Sequence, residues 1–87
     1  MLIAKVTGSI VSTQKEATLI GKKLMIIQPM NSDGETTKNE EVACDTVGAG
    51  IGEYVLVTRG RSANAAFESK ANVIDMAIVA IIDSFDK

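Results

Sequence analysis

The sequence predicts an all-β protein, a small antiparallel barrel of four or five short strands, on three observations. Apolar and polar residues alternate along residues 2–13, the period of a half-buried strand. β-Branched runs recur at 22–28, 54–58 and 77–84 between turn signals. The apolar 46% of the 87 residues is carried by Ile, Val, Leu, Ala and Met, with no Trp, one Tyr and two Phe, a composition suited to close-packed strands.

In the first strand Leu2, Ala4, Val6 and Ile10 share one face, and Lys5, Thr7 and Ser9 the other. Gly8 sits in the apolar register, where a missing side chain marks a bulge or a barrel corner. Polar residues 12–16 make a loop closed by Gly21. The second strand, 22–28, is expected to stop at Pro29, which has no N–H for a ladder. Residues 30–41 are polar and acidic, a surface loop or extended hairpin, and 42–45 form a short third strand. Gly48, Gly50 and Gly52 then make a corner that permits positive φ or close backbone approach, and it feeds the fourth strand. Ser62 can cap one short helix with Ala63, Ala66 and Phe67 on a shared face. Residues 73–85 fit two templates. Ile74, Ala77, Ile78, Ile81, Ile82 and Phe85 make a helical stripe, while Ile78, Val79, Ile81 and Ile82 suit a buried strand. The need of a barrel for a closing strand favours strand over 77–84.

Residues 1–87 are expected to form one domain. The net charge of −2 and three aromatic residues disfavour a nucleic-acid groove, which stacks bases on aromatics in a basic channel, and disfavour a membrane surface. The opening residues reach a charge at Lys5, so no signal peptide is expected. No apolar run approaches the roughly 20 residues of a membrane span. One Cys and no His point to a reducing, cytosolic setting without a structural zinc, and leave Cys44 as a buried apolar thiol.

Chemistry is poorly supplied. The 48–52 glycines lack the dinucleotide spacing, and a strand follows where a helix N-terminus would be needed to hold phosphate. Asn31, Asp33, Gly34 and Glu40 mimic part of a calcium loop, but Pro29 stands where the first carboxylate belongs. Lys22, Lys23, Arg59 and Arg61 read as strand-edge or subunit-contact charges. Adjacent apolar residues in the second, fourth and last strands leave both faces apolar, and a small barrel has one inside. The outer face therefore needs cover, from the short helix or, preferably, from other subunits.

Four segments in order, LIAKVTGSIVST at 2–13, LIGKKL at 19–24, DTVGAGIGEYVLV at 45–57 and VIDMAIVAIID at 73–83, closely resemble the bacterial microcompartment vertex proteins, the ethanolamine-utilisation and carboxysome pentamer family. The resemblance spans essentially the whole chain. It implies a five-stranded OB-like barrel with one short helix, assembled as a homopentamer that caps the vertices of a polyhedral shell in the bacterial cytoplasm. There it would supply curvature among hexameric tiles, with no cofactor, metal or reaction of its own. On this reading Gly48, Ala49, Gly50, Ile51 and Gly52 are expected near the five-fold axis. Glu53, Arg59, Arg61 and Asp75, which flank apolar strands, are expected in polar subunit contacts. Where relatives often carry a basic residue, this chain has Asn64. The alternatives are an OB-like nucleic-acid-binding module and a small enzyme, the latter disfavoured by the missing His.

Overall fold

The computed structural model describes residues 1–12, 19, 21–60 and 75–86. They form five strands, β1 (Leu2–Ile10), β2 (Lys23–Met30), β3 (Glu41–Asp45), β4 (Tyr54–Arg59) and β5 (Met76–Ile82). The strands close into a barrel in the order β1-β2-β3-β5-β4. The short helix expected at 62–67 lies outside the described residues.

Four of the five seams are antiparallel, but β3 and β5 run parallel, with Cys44 opposite Ala77 and Asp45 opposite Ile78. The expectation of a wholly antiparallel barrel is corrected at this seam. Because the parallel pairing is short, its end is tied by Thr46, whose N–H and Oγ1 both donate to the Ile78 carbonyl, at 3.3 and 2.7 Å.

Pro29 does not stop β2. It lies within the strand opposite Ala4 on β1, with its side chain fully buried. The N and C=O of one strand residue point to the same side. The Pro29 carbonyl accepts the Thr37 N–H at 3.1 Å, so the missing N–H faces the 31–40 loop and costs the β1 ladder nothing. β1 ends at Ile10 rather than 13, β2 begins at Lys23, and β5 ends at Ile82 rather than 84.

Two bulges shape the wall. On β1, Val6 faces Ile27 and Gly8 faces Ile26, leaving Thr7 as the extra residue. Cross-strand partners share a face. Val6 therefore points inward with buried Ile27, whereas Gly8 and Ile10 turn outward with Ile26 and Leu24. Ile10 thus leaves the face of Ala4 and Val6 that strict alternation assigned to it. On β5, Val57 faces Ile78 and Leu56 faces Ala80, so Val79 is the extra residue. Ile78 and Ile81, three apart, both join the interior.

The interior is sealed by Val6, Met25, Ile27, Val55, Val57 and Ile78, each at most 2% exposed. A second cluster lies outside the barrel, where the row Leu24, Cys44 and Ala77 crosses β2, β3 and β5 and packs with Leu19 and Val79. Leu19, from the segment between β1 and β2, helps to cover that part of the outer wall. No helix among the described residues is long and apolar enough to cross a membrane.

Candidate assembly surface and glycine corner

The corner between β3 and β4 is held from both ends by carboxylates. Asp45 Oδ1 accepts the Val47 N–H at 3.0 Å, a local turn that Asp favours. Its other oxygen lies 3.8 Å from Lys23 Nζ, which also donates to the Ala49 carbonyl at 3.4 Å. At the far end Glu53 Oε1 accepts the Gly50 N–H at 2.6 Å, while the Glu53 N–H donates to the Gly50 carbonyl at 3.2 Å. The corner is then stitched to β1 beside its bulge, Gly52 N–H to the Val6 carbonyl at 2.8 Å and Val6 N–H to the Glu53 carbonyl at 2.9 Å.

Within this frame the five corner residues differ. Gly48 and Gly52 take φ of 78° and 94°, a region that residues with a Cβ rarely adopt. A Cβ there would meet nothing within 4 Å in the chain, so conformation and not crowding calls for glycine. Gly50 has no such φ, and a Cβ on it would lie 3.3 Å from Glu53 Oε1. Ala49 is wholly buried in the barrel interior, a plug beneath the turn. Ile51 is 66% exposed and Val47 40%, so the corner shows an apolar tip.

The four charges proposed for subunit contacts do not gather in one place. Glu53 is turned onto Gly50. Arg59 pairs with Glu41 Oε2 at 3.0 Å. Asp75 is exposed, and its carbonyl accepts the Gly60 N–H at 2.7 Å, which puts it at the same end of the barrel as Arg59 and opposite the Glu53 end of β4. Arg61 lies outside the described residues. Lys23, expected as a strand-edge or subunit-contact charge, instead serves the corner of its own chain. Asp45 and Thr46 are not singled out from sequence, although an Asp two residues ahead of a turn N–H is a readable signal for Asp45.

The outer wall of β1, β4 and β5 is apolar. Ile3 faces Leu56 and Tyr54 faces Ile82 across the seams, and Ile3, Leu56, Ile82 and Phe85 border a groove of about 360 Å³ rimmed by Ser32, Ser84 and Asp86. Tyr54 and Phe85 meet edge-to-face with centroids 5.7 Å apart, and Lys5 Nζ sits 5.7 Å from the Tyr54 ring centroid. Among the described residues no group of three or more His, Cys, Asp or Glu could hold a metal ion. Burial raises the Cys44 thiol above its usual value of 9.0, only partly offset by Lys22.

The closed five-strand barrel that carries this corner and wall matches the fold of microcompartment shell proteins among solved structures. The pentameric microcompartment shell protein GrpN from Rhodospirillum rubrum is 38% identical, with 100% of each chain covered and a TM-score of 0.88. CcmL of Gloeobacter violaceus is 37% identical over 100% of this chain and 90% of its own, with a TM-score of 0.90. The chain belongs to the family described as ethanolamine utilisation protein EutN/carboxysome, whose model matches residues 1–83. Its curated relatives include the microcompartment shell vertex protein PduN of Salmonella typhimurium, 48% identical over 97% of both chains. The carboxysome shell vertex protein CcmL of Thermosynechococcus vestitus is 48% identical over 100% of this chain and 88% of its own. These relatives are structural shell proteins, not enzymes.

Proposed function

We propose that this chain forms a homopentamer that caps the vertices of a polyhedral microcompartment shell in the bacterial cytoplasm, where its five-fold symmetry supplies curvature among hexameric tiles. The observation that carries the reading is the full-length match to a pentameric shell protein and to shell vertex proteins. The apolar wall of Ile3, Leu56, Ile82 and Phe85 supports it, because such a surface on an 87-residue chain calls for a partner. A cyclic ring joins two different patches of the same chain, and this wall is one. The whole of residues 1–87 acts as one vertex domain. The 48–52 corner stands near the five-fold axis with Ile51 at its tip. Arg59, Arg61 and Asp75 lie in polar contacts, while Glu53 acts on the corner itself.

Native mass spectrometry should return five copies, and a monomer or dimer would reject the reading. For the corner, Ile51→Cys in the assembled protein should form subunit-to-subunit disulfides on mild oxidation. Bridging requires Cα atoms within about 7 Å, and Cys44 is buried away from oxidant. An intact pentamer with no such bridge takes the corner off the axis.

A further inference from the structure

We propose that Glu53 is the latch that fixes the shape of the 48–52 corner within each single chain, so that the corner is pre-organised before subunits meet. Its carboxylate takes the Gly50 N–H while its own N–H serves the Gly50 carbonyl, so both backbone groups of the central glycine are bound by one residue. Gly48 and Gly52, the positive-φ residues on either side, are hinges with open space around them. Ala49, plugged into the interior, and the Gly52–Val6 hydrogen bond anchor the ends. Glu53 is thus the only side chain that the described residues place on the Gly50 N–H, and loosening it frees the segment that carries exposed Ile51 without disturbing the barrel ladder. A loop ordered in advance loses less freedom on association. Glu53 is a positioning residue here, and its link to assembly rests on the reading of the corner as axial.

The test is amide exchange and native mass on the assembled protein. A hydrogen bond to a charged acceptor is strong enough that Glu53→Ala should speed Gly50 exchange about ten- to a hundredfold, with the Val57 amide in the barrel wall unchanged. The pentamer should also dissociate at higher protein concentration than wild type. Glu53→Gln, which keeps an oxygen at the same reach, should recover most of the protection, and it supplies the reading if the alanine variant does not fold. Wild-type exchange at Gly50 in Glu53→Ala, or in Glu53→Gln where alanine does not fold and glutamine should show a few-fold increase, overturns the latch. Faster exchange with an undiminished pentamer upholds the latch and removes the corner from the axis.

Discussion

Asp45 keeps only 2% of its side chain exposed while its ionic partner Lys23 keeps 57%, and that asymmetry decides what each contributes. The lysine stands in solvent, where an ion pair is worth about 1 kcal/mol or less. The carboxylate accepts the Val47 N–H at the exposed start of the corner, a hydrogen bond to a charged acceptor that removing it would lose. Asp45→Ala should therefore destabilise by about 1–3 kcal/mol and Lys23→Ala by less than about 1 kcal/mol in urea titrations, with high salt shrinking the ion-pair share of both losses, which is most of the lysine variant's and only part of the aspartate variant's. Cys44 gives a pH prediction of known sign. Its pKa is raised in the fold by burial, so the native state resists the thiolate that the unfolded chain accepts. Stability is full below the unfolded value and declines as pH rises through the folded one. Thermal midpoints should fall more steeply above about pH 9 for the native protein than for Cys44→Ser, and equal slopes would place the loss elsewhere.

Both bulges explain what an element can and cannot reveal in sequence. The period of β1 is legible from Leu2 to Val6 and then fails, because Thr7 is inserted and Gly8 and Ile10 change face; the glycine signalled a bulge but not the flip. In β5 the bulge at Val79 puts Ile78 and Ile81 together on the interior, and a three-residue spacing of inward side chains imitates a helix. The parallel β3–β5 seam was not legible at all, since the relative direction of two strands distant in sequence is a property of the closed barrel that no local pattern records. Pro29 misled for a related reason, because whether a missing N–H matters is set by which neighbour the strand side faces. At Gly8 the structure makes a graded prediction. A Cβ would lie 3.3 Å from Ile26 Cδ1, the free end of a side chain. Gly8→Ala should stay within about 1 kcal/mol of wild type, the small shift of Ile26 being offset by reduced unfolded-state freedom. Gly8→Val should cost about 1–3 kcal/mol, and equal midpoints for the two in chemical denaturation would show that Ile26 does not constrain the bulge.

At the scale of the molecule, the two apolar faces of β4 have different occupants, and adjacent residues should separate folding from assembly. Val55 is wholly buried in the interior, paired across the seam with Ile81. Leu56 points the other way, opposite Ile3, into the outer groove. Val55→Ala removes buried methyl groups and leaves a cavity, so the barrel itself should lose about 2–3 kcal/mol, and every measure of folding should fall with it. Leu56→Glu deletes nothing from the interior and places a charge on the wall assigned to a neighbouring subunit, where burial of an unpaired carboxylate is prohibitive. Its product should be a folded β-protein by circular dichroism with the native mass of one chain. Its melting midpoint should no longer rise with concentration, because association stabilises by mass action. A Leu56→Glu protein that still assembles as five copies would mean that this wall stays in water in the ring and that another face, such as the β2–β3 side with exposed Val42, forms the subunit seam.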